Sequence, residues 1–377
     1  MTHNWLLYVA VFSCAFGLTI LVTPYTKKWA EKLGAIDMPR SRGMHKVALP
    51  RLGGAAMVLG FLFAIGIAAL FFGELRTPQF LGFVVGGVIT ATAGFCDDMK
   101  SIKPSAKLAF EISAALVVVF SGTRVDFVKF NIPFMTNSLS IPFTVLWIVG
   151  VTNAVNLIDG LDGLAAGVST IGALCLTVLC IMTGGGMAVV FASALAGCCL
   201  GFLPRNFNPA EVIMGDTGAL FLGYVLAVSS IIGVFKAYAL LSIVIACFAL
   251  ALPIFDTLYA MLRRVIEHRP IMGADRGHLH HRLIDAGYSH KQTVVLLYVL
   301  SAVCGIIAIL IAVQDYRAIF VAAICVAIMV MMVYTYRRRM SDQQALHAVP
   351  TDGNEAGQTE ITNDVEMIDK TIDKDAS

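Results

Sequence analysis

Asn153-Ala-Val-Asn-Leu-Ile-Asp-Gly-Leu-Asp-Gly163 interrupts one of the most apolar regions of the chain. Apolar segments run into it and out of it, so its two amides and two carboxylates sit at or near membrane depth. Polar groups there are costly unless they line an aqueous cavity or an interface. Asn153, Asn156, Asp159 and Asp162 recur every three residues, which places them on one face if the segment enters as a helix. Gly160 and Gly163 permit tight turns and close approach of backbone to a ligand. A polar loop joining two spanning helices would account for the stretch taken alone.

The 377 residues are 58% hydrophobic and 14% charged, with mean hydropathy +0.80. A soluble domain carries about 25% charged residues, so the chain reads as an integral membrane protein. Apolar blocks of ~20 residues fit spanning helices, about twice the length that barrel strands need. The expected fold is therefore all-α and polytopic. About eleven spans are expected: 5–24, 52–73, 79–96, 107–121, 141–157, 163–183, 187–203, 217–235, 238–262, 292–313 and 317–336. All but five of the 27 basic residues fall on one side of this topology. By the positive-inside rule the N-terminus is outside and the C-terminus cytoplasmic. The nine cysteines lie almost entirely in apolar blocks without a CxxC pair, and read as small buried hydrophobes. The N-terminal apolar run lacks a preceding Lys or Arg and a clear cleavage site, as expected of a retained first helix. Residues 1–340 form the expected transmembrane domain. Residues 341–377 are polar and acidic and read as a disordered cytoplasmic tail.

This topology gathers the reactive side chains at cytoplasmic ends and loops. Asp97-Asp98 closes the third span, followed by Lys100, Lys103 and Lys107. Adjacent carboxylates suit a hard cation such as Mg²⁺, or a general base, or a helix end neutralised by the lysines. Gly215-Asp216-Thr217-Gly218 enters a helix, where free N–H groups meet an anion or Asp216 acts as an N-cap. His278-Leu-His280-His281-Arg282 lies among arginines, which oppose a zinc site and favour a diphosphate; an interfacial loop touching lipid headgroups is the simpler reading. The first cytoplasmic loop holds His45 and Pro50-Arg51-Leu-Gly-Gly54, a candidate anion-binding loop that positive-inside bias also explains. The competing class is an ion-coupled transporter, whose polar groups should line a path through the bilayer. Here they stop at one boundary, and no internal repeat is evident.

Taken in order, these islands resemble the polyprenyl-phosphate N-acetylhexosamine-1-phosphate transferases, multi-span enzymes that start bacterial envelope glycans. The matching residues are His45 with Pro50–Gly54, Asp97-Asp98, Asn153–Gly163, Gly215–Gly218 and His278–Arg282, across roughly residues 1–335. The His-x-His-His-Arg form looks like the branch that uses UDP-N-acetylglucosamine (UDP-GlcNAc) and undecaprenyl phosphate. The alternative is the phospho-N-acetylmuramoyl-pentapeptide branch or another UDP-N-acetylhexosamine. The resemblance implies an enzyme of the bacterial plasma membrane with a cytoplasmic active site. It implies Mg²⁺ as cofactor, with Mn²⁺ as a substitute, membrane lipid as surroundings, a homodimer in many relatives, and no nucleic-acid partner. It assigns Asp216 and Asn156 to the metal, and Asp97 to orienting or deprotonating the lipid phosphate with Asp98 in support. Asp159 and Asp162 go to the uridine and sugar end. Lys107 falls to the lipid phosphate, and His278, His280, His281 and Arg282 to the phosphates, with Asn153, His45 and Arg51 as further substrate contacts. Glu111 departs from the pattern, standing where many relatives carry Gln.

Overall fold

The computed structural model describes residues 5–38, 48–125, 137–234, 241–268 and 277–315, with six further residues between 317 and 338. His45, the eleventh expected span and the acidic tail lie outside the described residues, apart from those few helical positions. The chain divides after Ile328 into two compact units, and every element below lies in the first.

The chain is an all-α polytopic membrane protein. Among the described residues eight helices are long and apolar enough to cross a bilayer. They are α1 (Trp5–Leu33), α2 (Gly53–Phe71), α3 (Pro78–Met99), α5 (Asn137–Ile158), α6 (Leu164–Met182), α7 (Gly186–Asn206), α8 (Gly215–Gly233) and α12 (His290–Ala312). Between them lie α4 (Pro104–Phe120), 17 residues long, α9 (Leu241–Ala249), α10 (Ala251–Ile266) and α11 (Leu279–Asp285). Local chemistry sets several boundaries. Thr77 accepts the Phe80 N–H at 3.2 Å ahead of Pro78 in the first turn of α3. Ser289 and Gln292 form a reciprocal capping box at the start of α12.

Helix α8 is the axis of the fold. Nearly all its side chains are buried against α3, α5 and α7, with further packing on α2 and α6. An aromatic cluster fills the seam: Phe83 stacks on Phe191 at 3.8 Å, Phe61 meets Phe221 edge-on at 5.2 Å, and Tyr224 donates to the Phe83 carbonyl at 2.8 Å. Helix α1 packs closely along α7, where Gly197 and Gly201 leave room for the Phe12 and Phe16 carbonyls. Small residues of this kind drive helix association in lipid, where apolar burial alone gives no preference. Leu70, Phe71, Phe120 and Leu146 point outward and are more than two-thirds exposed, as lipid-facing residues should be.

The structure departs from the sequence reading at three places. Helix α1 continues past the apolar stretch through Lys27, Lys28 and Lys32. Residues 238–262 do not form one rod: the helix breaks at Leu250 (φ −114°, ψ 29°) between α9 and α10. Pro253 explains the break, since its ring clashes with the carbonyl four residues back, at Ala249, and it has no N–H to donate. The resulting α10 turns Phe255, Leu258, Leu262 and Ile266 outward and buries Asp256, Ala260 and Arg264. Finally, a two-residue antiparallel pair joins β1 (Ile36–Asp37) to β2 (Leu49–Pro50), with Ile36 opposite Pro50 and Asp37 opposite Leu49.

Candidate active site

The site is assembled where the C-terminal end of α3 meets the N-terminal end of α8. Asp98 accepts the backbone N–H groups of Asp216 and Thr217, each at 2.9 Å, and the Thr217 hydroxyl at 2.6 Å. A carboxylate from another helix thus satisfies the free donors at the start of α8. Gly215 makes this approach feasible. Its φ is +70°, and a Cβ there would lie 2.6 and 2.7 Å from the two Asp98 oxygens. The Arg51 guanidinium stands 3.7 Å from the same carboxylate. Asp97 turns elsewhere. One oxygen accepts the Ile102 N–H at 2.7 Å, the other lies 3.7 Å from Lys107 Nζ, and the carboxyl meets that of Asp216. Lys107 also makes a close ion pair with Asp216. The adjacent aspartates therefore have separate jobs: Asp98 builds the start of α8, while Asp97 faces Asp216 and Lys107.

Pro50–Gly54 braces this junction through its backbone. The Ile213 N–H donates to the Pro50 carbonyl at 3.0 Å, and the N–H groups of Gly53 and Gly54 donate to Ile213 and Met214 at 3.1 and 2.8 Å. The Arg51 side chain is left to line the cavity.

The opening stretch supplies the opposite wall. Helix α5 ends at Ile158, and the Asn156 carbonyl accepts the Asp159 N–H at 3.3 Å. Asp162 accepts the Asn208 amide at 3.0 Å and the Ala210 N–H at 3.1 Å. Asn206 accepts the Gly163 N–H at 3.1 Å and donates to the Val212 carbonyl at 3.0 Å; Tyr298 reaches the Gly163 carbonyl at 2.5 Å. The Asp159–Gly163 turn is thereby tied to the loop between α7 and α8. Asp159 stays in the cavity wall. Burial, with the charges of Asp216, Asp98 and Asp162 adding to it and Arg51 opposing, pushes its carboxyl up to about 7. Asn153 lies a turn and a half earlier and donates to Glu111 and to the Val149 carbonyl at 2.9 Å. Among the described residues, no hydrogen bond joins the Asn156 side chain to Asp216.

Together these groups surround a cavity of about 240 Å³, bounded by Asp37, Arg51, Asp159, Asp162, Asn206 and Asp216. The histidine segment abuts it. The His280 ring packs on Gly160 so closely that a Cβ there would overlap it, with Cε1 at 3.0 Å. Burial first, and the neighbouring His281 next, hold the His280 imidazole down to about 3 against the pull of Asp256. His278 occupies the N-cap position of α11, with no side-chain cap hydrogen bond, and stacks beside His280 at 5.9 Å. Arg282 turns to Tyr259 of α10, donating to its hydroxyl at 3.0 Å and lying 5.4 Å from its ring.

Among the described residues, no group of three or more His, Cys, Asp or Glu side chains is spaced to hold a metal alone. Asp216, which lies in the cavity wall beside Asp97 and the Lys107 ammonium, is nonetheless a carboxylate suited to a hard divalent cation. Mg²⁺ needs one or two protein carboxylates and completes its shell with water and substrate phosphates.

Four site residues carry little signal in the sequence. Asp37 follows α1 in an unremarkable Ala-Ile-Asp-Met run, and only the short β1–β2 pairing brings it to the cavity. Asn206 and Asn208 stand in a polar island whose prolines hint at an ordered loop. Tyr298 lies in an apolar helix where nothing local marks it.

Residues 80–234, from α3 through α8, match the sequence profile of glycosyl transferase family 4. The chain is 38% identical over 306 residues to a probable undecaprenyl-phosphate N-acetylglucosaminyl 1-phosphate transferase of Bacillus subtilis, covering 80% of this chain and 84% of that one. It is 32% identical over 358 residues to a decaprenyl-phosphate N-acetylglucosaminephosphotransferase of Mycobacterium tuberculosis, covering 85% and 89%. Similarity to a phospho-N-acetylmuramoyl-pentapeptide-transferase of Borreliella burgdorferi is lower, 28% over 342 residues, covering 80% and 93%.

Proposed function

The chain belongs to glycosyl transferase family 4, and from that premise we propose that it transfers N-acetylglucosamine 1-phosphate from UDP-GlcNAc to undecaprenyl phosphate. The products are undecaprenyl-diphospho-N-acetylglucosamine and UMP, a first step in building an envelope polysaccharide. The observation that carries the reading is the convergence of Asp97, Asp159, Asp216, Lys107 and Arg51 at one end of the helices, in a chain similar over 80% of its length to an N-acetylglucosaminyl 1-phosphate transferase. The basic residues flanking that end support a cytoplasmic site by the positive-inside rule.

In this reaction an oxygen of the lipid phosphate attacks the sugar-bearing phosphorus of UDP-GlcNAc. A new P–O bond forms there, and the bond to the uridine-bearing phosphate breaks, releasing UMP. Positioning and charge neutralisation supply most of the rate in such transfers. Asp97 orients the lipid phosphate and takes its proton, with Lys107 meeting the same phosphate. Asp98 acts indirectly, by fixing the start of α8 and hence Asp216. Asp159 faces the sugar and uridine end, and Asp162 holds the Asn208–Ala210 loop that borders it. Arg51 and the His278–Arg282 segment grip the diphosphate. Mg²⁺, or Mn²⁺ in its place, held by Asp216 with Asn156, would supply neutralisation of the diphosphate charge.

The test is an assay of the purified full chain in nanodiscs with radiolabelled UDP-GlcNAc, undecaprenyl phosphate and Mg²⁺, with and without EDTA. Label moving into lipid with release of UMP, and loss of both in EDTA, is the expected result. Reaction with UDP-N-acetylmuramoyl-pentapeptide in place of UDP-GlcNAc would reassign the branch. No reaction with any UDP-N-acetylhexosamine in folded protein would overturn the function.

A further inference from the structure

Glu111 lies on α4, one turn beyond Lys107, and takes no part in the reaction as described above. It is only 2% exposed. One carboxyl oxygen accepts the Asn153 amide, whose nitrogen also donates to the Val149 carbonyl at 2.9 Å. The other, Oε1, is fully buried and has no hydrogen-bond partner among the described residues. Ionised, that oxygen lacks a donor; protonated, its O–H lacks an acceptor. Either state carries the penalty of an unmet buried polar group.

The missing donor stands close by. Lys107 and Glu111 are four residues apart on one helix face. Side chains on a helix lean back toward its N-terminus, which carries the Glu111 carboxyl toward Lys107. That carboxyl is within electrostatic reach of both Lys107 and Asp216. The Lys107 ammonium is engaged elsewhere, in a close ion pair with Asp216 and 3.7 Å from Asp97. A divalent cation held by Asp216 would contest that seat, because two cations against one carboxylate repel each other. An ammonium displaced from Asp216 has three N–H donors. One can meet Glu111 Oε1 while the others stay free for the lipid phosphate.

We propose that Lys107 has two seats, Asp216 in the metal-free chain and Glu111 Oε1 once a divalent cation occupies Asp216. Glu111 is then a positioning residue: by receiving the displaced ammonium it makes the exchange favourable. Before the exchange Lys107 covers the metal ligand and is held back from the lipid phosphate, so one movement readies both groups. The assignment rests on the function proposed above, and within it on Asp216 as the metal ligand.

Glu111→Gln is the discriminating variant. Asn153 is held by the Val149 carbonyl and still presents its N–H, so the new amide must turn its oxygen to Asn153. Its NH₂ group then fills the Oε1 position, where it cannot accept from Lys107. The measurement is Mn²⁺ binding to the substrate-free full chain in zwitterionic nanodiscs, read from the EPR signal of free Mn²⁺. It is made for the native chain, Glu111→Gln, Lys107→Met and the double variant, with a thermal melt of each. The expected result is about 10-fold weaker Mn²⁺ binding in Glu111→Gln, within the usual range of coupling between sites, at an unchanged melting midpoint. In the Lys107→Met background the same substitution should change binding by less than about twofold. A charge acting only through space would weaken binding equally in both backgrounds, and that outcome would overturn the proposal. So would native binding in Glu111→Gln, or a loss that tracks a lowered melting midpoint. Failure of the functional reading shows separately, as Asp216→Asn binding Mn²⁺ no more weakly than the native chain, and takes the two-seat proposal with it.

Discussion

Two neighbouring carboxylates divide the labour between structure and chemistry. Asp98 accepts two N–H groups and one hydroxyl at the start of α8, whereas Asp97 faces Lys107 and Asp216. Asp98→Ala should therefore lower thermal stability in detergent by about 2 kcal/mol or more, from lost hydrogen bonds to a charged acceptor, and abolish transfer with it. Asp97→Asn should abolish transfer at nearly native stability. Equal melting midpoints for the two variants would contradict the division. Asp159 makes a pH-dependent case. Its carboxyl sits near 7 in the fold and near 3.8 when unfolded, so the folded state holds its proton longer. The stability this gives is complete below about pH 4 and is lost as pH rises through 7. Asp159→Asn should thus raise the melting midpoint of the ligand-free chain at pH 8 and change little at pH 4, while eliminating activity. A lower midpoint at pH 8 would show that the ionised carboxylate is welcome in the fold.

Between elements, Asn206 is the rivet. It joins the Gly163 N–H to the Val212 carbonyl, tying the α5–α6 turn to the α7–α8 loop. Asn206→Ala leaves both partners unsatisfied, a cost of about 1–3 kcal/mol each when buried. A fall in melting midpoint with at least a tenfold drop in kcat is expected, read by a thermal melt and the transfer assay; native values for both would show the rivet is redundant. This level of organisation was the least legible in the sequence. The helices were visible because apolar runs of spanning length have few other solutions, and Asp97, Asp98, Asp159, Asp162 and Asp216 stood out as polar residues where polarity is costly. Their division into reacting and bracing groups was not visible, because it depends on which oxygen meets which N–H across more than a hundred residues. The β1–β2 pair is too short to leave a periodic pattern. The break at Leu250 had one local sign, Pro253, within a run whose apolar content alone read as a continuous span.

For the whole molecule, the apolar composition and one-sided charge were enough to read an all-α polytopic chain. They could not reveal that α8 is enclosed by its neighbours while the spanning stretches of α1 and α3 are less than half buried, since each of the three carries an apolar run of spanning length.

Helix α10 gives this architecture a mechanical side. It is shorter than a bilayer span, begins at a break, and presents Phe255, Leu258, Leu262 and Ile266 outward while Asp256 on its inner face holds His278. A short helix with one greasy side takes its depth from the thickness of the surrounding lipid, and the grip on His278 inherits that depth. Mismatch costs fractions of a kcal/mol per Å, so a change of about 4 Å is worth on the order of 1 kcal/mol, roughly fivefold in rate. Turnover measured in nanodiscs of increasing acyl-chain length should pass through a maximum, whereas a flat profile would mean that α10 is held by protein alone. The enzyme would then be tuned to the thickness of its own membrane as well as to its substrates.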